Sequence, residues 1–268
     1  MIPESGFTAT MLVSNFPSIM KSLFLFIGLL CAFNNLTAQK KVTENTKSKG
    51  IEDVMVHLKF ANNIVVKNWS KNEISVEAII NIDNNEHNDY FNFKTKNVGG
   101  YYTVTSDYGD YFKKYRSYYS HKHSHNDKDT EDKKDDKGCH GHKNNNIVNY
   151  VICVPNNMNL KVKSISGSVE ADSYVGVLQT DLISGNITVK KHSKDMYLKT
   201  ISGDIDIYVS DATFTAKSLS GGIYSDLDID FNKNKKKGYG SKIRAKVDNG
   251  TASLNLNTIS GDIYLRKI

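Results

Sequence analysis

The side chains best suited to chemistry lie in one stretch. His121, His123 and His125 stand at alternate positions, and Cys139, His140 and His142 follow. Imidazole and thiolate are good ligands for zinc, copper or nickel, and alternate residues of an extended chain share one side. A dedicated site also needs a folded surround to orient its ligands. The stretch from Ser106 to Asn146 offers none: it is Tyr-, His-, Lys- and Asp-rich and holds almost no aliphatic residue after Ser120. Its nine Lys or Arg balance eight Asp or Glu. It cannot bury a core, so residues 106–146 are expected to form a long, disordered insertion between two strands that picks up metal weakly, without a selected site.

Other candidates are weaker. Asp204 and Asp262 share a repeat position with Asn186 and Ser168, which predicts a polar ladder but too few carboxylates for bound calcium. Asp206 and Lys190 do not recur as the clustered acids and base that a polysaccharide lyase would need. No nucleophile elbow, phosphate loop, dinucleotide fingerprint or His-Glu-x-x-His motif occurs. The expectation is a non-enzyme without a cofactor. Tyr101, Tyr102, Tyr108, Tyr111, Tyr115, Tyr118 and Tyr119 are the preferred guess for a contact region, because exposed aromatics stack on sugars and proteins; strand packing accounts for most of them.

These groups must be held by strands. The 268 residues are 39% hydrophobic and 24% charged with three prolines, a mix that suits a folded, strand-rich chain. The net charge of +6 is partly due to Lys233, Lys235, Lys236 and Lys237, read as a solvated loop; a basic surface can also favour anionic polymers or lipid headgroups. From Met20 the sequence runs MKSLFLFIGLLCAFNNLTAQK. One lysine, an apolar stretch too short to span a bilayer and Ala38 before Gln39 make an export signal. Residues 1–38 are therefore read as a signal peptide whose true start is Met20. Gly28-Leu29-Leu30 before Cys31 argues against a lipid anchor, and no later run is long enough to cross a membrane. Export excludes nucleic acid as a partner and permits a disulfide, but Cys139 in a polar loop and Cys153 in a strand are not a framework.

Residues 39–105 read as strands with Asn-Asn and Gly-Gly turns, and residues 147–268 as a repeat. Ile165-Ser166-Gly167-Ser168-Val169 recurs around Gly185, Gly203, Gly221 and Gly261. The first four glycines are 18 residues apart, and the fifth follows 40 later. Seven before each glycine stand Leu160, Leu178, Met196, Phe214 and Leu254; two after stand Val169, Ile187, Ile205, Ile223 and Ile263. Spacing by two within each arm is strand alternation. The apolar phase is read as running inward from two before to two after the glycine. One such row cannot bury its apolar face alone, so the rows should stack. The architecture is all-β, a β-solenoid of roughly 18-residue coils, with the hairpins of a β-sandwich as its rival. The glycines are assigned to the structural turns, where positive φ and close backbone approach are tolerated.

The Ser-Gly-Asp/Asn-Ile rows resemble the toastrack domain, a bacterial adhesin-like domain of unknown function. Tyr150-Val151-Ile152-Cys153-Val154-Pro155 before Leu160-Lys161-Val162-Lys163-Ser164 adds to the likeness. The resemblance runs from about residue 50 to the C-terminus. It implies a right-handed, single-stranded β-helix-like fold at the cell envelope, no known catalytic residues, and roles in adhesion or envelope-stress signalling. The histidine-rich insertion and the lack of a membrane anchor depart from it. The reading is an exported, non-catalytic protein, periplasmic, secreted or at the cell surface, that presents a surface to an unknown protein or glycan. A regulatory accessory binding a membrane partner is the alternative, and a carbohydrate-active enzyme comes third. Row Leu254–Ile268 is expected to have its outer edge covered by another part of the chain or by a second copy in a homodimer, or guarded by Arg266 and Lys267.

Overall fold

Alternation of buried and exposed side chains runs through the chain, and each alternating run is a strand. A computed structural model describes residues 39–114, 146–228 and 240–268. Residues 1–38, read as an export signal, the stretch from His121 to His142 with Cys139, and the run Lys233 to Lys237 lie outside them. Five strands come first: β1 (Lys40–Lys47), β2 (Asp53–Leu58), β3 (Asn63–Trp69), β4 (Glu73–Asn81) and β5 (Asn92–Val98). There follow β6 (Tyr101–Asp107), β7 (Ile147–Pro155), β8 (Asn159–Ser164), β9 (Ser168–Ala171), β10 (Leu178–Ser184) and β11 (Ile187–Val189). The last are β12 (Met196–Ser202), β13 (Ile205–Val209), β14 (Ala212–Ser220), β15 (Ile223–Ser225), β16 (Ser241–Val247), β17 (Ala252–Ser260) and β18 (Ile263–Lys267). Among the described residues no helix is long and apolar enough to cross a membrane.

The fold is a β-solenoid. Each row gives one strand to each of two sheets, and rows stack in parallel. Sheet I runs β1-β4-β7-β3-β9-β11-β13-β18-β15, and sheet II runs β16-β14-β17-β12-β10-β8-β2-β6-β5. The 18-residue period becomes register: Leu160 lies opposite Leu178, and Leu178 opposite Met196. Val169, Ile187 and Ile205 align in the same way on sheet I. These columns, with Val54, Leu198, Ile207 and Leu256, are sealed from water and form one core.

The order of rows differs from their order in sequence. The last row does not end the stack but lies inside it, with Leu254 between Met196 and Phe214 and Ile263 between Ile205 and Ile223. Of the two coverings expected for the terminal row, the structure has the chain's own. No open edge remains there for a homodimer. The outer position goes to β16, antiparallel to β14, whose Lys242, Arg244 and Lys246 suit an exposed edge. Likewise row β2/β3 lies inside row β6/β7, and antiparallel β5, β4 and β1 close that end.

The apolar residue two before each glycine, expected inside, is exposed: Ile165, Ile183, Ile201, Leu219 and Ile259. Alternation explains the correction. Positions seven, five and three before the glycine share the inner face, and the chain changes parity only at the corner. The slot three before is therefore the buried one, and it holds Ser164, Leu182, Thr200, Ser218 and Thr258. Its hydroxyls meet corner carbonyls of neighbouring rows: Thr200 donates to Gly185 O at 3.0 Å, Thr258 to Gly203 O at 2.9 Å and Ser218 to Gly261 O at 2.8 Å. Buried hydroxyls need such acceptors.

The insertion also starts later than expected. Ser106 and Asp107 belong to β6, and Tyr108 and Tyr111 are buried. Aromatic burial decides this: Tyr108 packs edge-on against Phe60 and Phe91, and its hydroxyl donates to Phe60 O at 3.1 Å.

His192 is buried, its backbone bridged to Tyr174 of the preceding row, with its Nε2 accepting the Ser210 N–H at 3.3 Å. Its Nδ1 is buried without a hydrogen-bond partner among the described residues. Burial holds its pKa below the ordinary value, against a smaller opposing pull from Asp211. The folded state therefore binds this proton less readily than the unfolded chain. The stability His192 contributes is complete above its unfolded pKa of about 6.5 and is lost as the pH falls below it. The thermal midpoint should drop between pH 7 and pH 5, and less so in His192→Gln; equal slopes for the two proteins would refute the assignment.

Candidate binding face

The corners form a polar ladder, built by the residue after each glycine. Ser168 Oγ accepts the Asn186 N–H at 3.2 Å, Asn186 Oδ1 the Asp204 N–H at 2.9 Å, Asp204 Oδ1 the Asp262 N–H at 2.8 Å and Asp262 Oδ1 the Gly222 N–H at 2.8 Å. These carboxylates satisfy backbone donors. Among the described residues no three His, Cys, Asp or Glu stand close enough to hold a metal ion. Asp206 takes a two-pronged bond from Arg266, at 2.7 Å from both Nε and Nη2, while Lys190 pairs with Asp172 at 2.7 Å. Arg266 and Lys267, expected to guard an edge, instead tie neighbouring segments together: Lys267 reaches Asp228 at 2.8 Å. Cys153 lies half-buried on β7, its thiol pKa raised by burial.

The tyrosine cluster divides. Tyr102 is buried, and burial with Glu44 beside it pushes its pKa up to about 12. Tyr111 is also inside and donates to Asp83 Oδ2 at 2.7 Å. Of the cluster's described members only Tyr101 is well exposed, at 62%. Tyr115, Tyr118 and Tyr119 lie outside the described residues.

The outward columns of sheet II are where the surface becomes distinctive, and the sequence reading passed over them. Its strands carry Lys94 and Lys96 on β5, Lys161 and Lys163 on β8, Lys199 on β12, Lys217 on β14, and Lys242, Arg244 and Lys246 on β16. Only Asp53, Asp107 and Asp181 oppose them on the same strand faces. Lys94 pairs with Asp107 at 2.6 Å and Lys199 with Asp181 at 3.4 Å. On sheet I the outward strand residues balance: Lys41, Lys47, Lys67 and Arg266 face Glu73, Glu77, Glu170 and Asp206. The excess positive charge of the strands is therefore gathered on one face.

That face is also dented. Two shallow hollows of about 290 and 360 Å³ adjoin on it, sharing Lys161 and Gln179. Tyr197, 43% exposed, lies in the first and Tyr101 in the second. Gln179, Tyr197 and Asn255 stand in one cross-strand line. The available signal was the alternate column, because residues between the core positions must face outward.

Comparison with known proteins gives one family match. Residues 156–266 match the family model described as Toastrack DUF4097. These rows are a toastrack domain. No curated protein matches the chain. Among solved structures, a "putative cell adhesion protein" from Clostridium sporogenes ATCC 15579 is similar at 12% identity with a TM-score of 0.46, covering 86% of this chain and 100% of that one. A "putative adhesin" from Bacteroides fragilis NCTC 9343 aligns at 10% identity with a TM-score of 0.30, covering 85% and 97%. A "putative lipid binding protein" from Parabacteroides distasonis ATCC 8503 aligns at 10% with a TM-score of 0.21, covering 85% and 97%. The toastrack match takes in strands β8 to β18, and β2/β3 and β6/β7 continue the same two sheets beyond it.

Proposed function

We propose that this is an exported, adhesin-like protein that works without catalysis, presenting the outer face of sheet II to a partner outside the cytoplasm. The export signal at residues 20–38 supports the compartment. The segregation of cations onto one toastrack face carries the binding reading, since a predominantly cationic surface raises the local concentration of an oppositely charged partner. Stacked, cross-bonded rows suit a rigid plate, which binds with little ordering cost. The test is adherence of the labelled purified protein to intact cells. Changing Lys161, Lys199 and Lys217 together to Gln should remove most of it while leaving the thermal midpoint in place, because these side chains lie outside the core. Adherence equal to that of the unaltered protein would overturn the proposal.

A further inference from the structure

Building on that reading of sheet II, we infer that its outer face takes a linear acidic polysaccharide bearing a carboxylate or sulfate on alternate sugars. The argument is one of spacing. In the column four before each corner glycine, successive strands present Lys163, Asp181, Lys199, Asn257 and Lys217. Lysine thus recurs on every second strand from β8 to β14. With strands about 4.8 Å apart, the cations repeat at about 9.6 Å along the stack. That distance is close to the advance of a disaccharide in an extended glycan chain. Asp181, the one carboxylate in the column, pairs with Lys199 at 3.4 Å and stands one strand from Lys163, while Lys217 has no carboxylate beside it in the column.

The next column supplies the uncharged contacts. Gln179, Tyr197, Asn255 and Thr215 follow Lys161 strand by strand. Amides and hydroxyls can bond sugar hydroxyls in both directions, and the face of the exposed Tyr197 ring suits the apolar face of a pyranose. The two shallow hollows adjoin on this line at Lys161 and Gln179, so the depressions follow one another across the strands. A bilayer surface would need neither the aligned hollows nor the periodic spacing. An acidic chain of sugars uses both.

Binding of the purified protein to hyaluronan oligosaccharides, which carry a carboxylate on alternate sugars, tests this beside dextran, which carries none, and vesicles of phosphatidylglycerol in phosphatidylcholine. Hyaluronan should bind and dextran should not. Lys163→Gln with Lys199→Gln and Lys217→Gln should weaken hyaluronan binding about tenfold or more, and Tyr197→Ala several-fold with an unchanged salt dependence. Equal affinity for dextran, or capture of the vesicles without hyaluronan, would overturn the inference. So would indifference to all three probes. If cell adherence still depends on the lysines in those cases, the glycan assignment falls alone; if adherence survives their loss, the reading of the face falls with it.

Discussion

Gly203→Ala should lower stability by about 3–5 kcal/mol, read as a shift of the urea or thermal unfolding midpoint. The backbone at Gly203 has φ +154°, and a Cβ placed there would lie 2.1 Å from Gly185 O and 2.6 Å from its carbonyl carbon. Neither atom can yield, because Gly185 N donates to Ser202 O in the neighbouring row and Gly185 O accepts from Thr200. The same approach repeats along the stack, with Gly185 against Gly167 O, Gly261 against Gly203 O and Gly221 against Gly261 O. Gly221 shows that the contact matters by itself, since its φ is not positive. The control is Gly99→Ala: φ there is +58°, but nothing lies within 4 Å of the new atom, so about 1 kcal/mol is expected. Equal losses at the two sites would show that backbone conformation, and not close stacking, governs the corners.

Removal of residues 252–268 should do still more damage. The deletion takes out a row with stacked neighbours on both sides. Leu254, Leu256, Ile263 and Leu265 are all sealed from water. At about 2–5 kcal/mol for each such side chain, their loss rivals the stability of a typical domain. The shortened protein should precipitate, or residues 212–247 should become sensitive to dilute protease. A soluble chain with an unchanged midpoint would show that β14/β15 had restacked directly on β12/β13, and that the intercalated order is dispensable.

That possibility explains what the sequence could and could not reveal. Parallel register was legible because Leu160, Leu178 and Met196 recur at the period and must share a core. Row order was not, because Phe214 and Leu254 satisfy the same column: either could follow Met196. What separates them is β16, whose antiparallel pairing gives the fourth row a basic outer neighbour, and short-range periodicity contains no signal for it. The inward slot at Thr200, Ser218 and Thr258 was hidden for another reason. Its hydroxyls look like surface residues until the corner carbonyls they bond are placed beside them. Ile183 misled in the opposite sense, being aliphatic yet half exposed at 50%. The cationic face is hard to read from motifs, because its signal lies in lysines on the alternate columns of otherwise unremarkable strands.

The buried position of the final row bears on biosynthesis. A nascent chain leaves the ribosome N-terminus first, so residues 212–225 emerge before the segment that will separate them from residues 196–209. They must either wait undocked or form a provisional neighbour contact that later opens. Docking of β17 and β18 is then a late assembly step, and a chain that stops short of residue 252 has no segment to fill the place between β12 and β14.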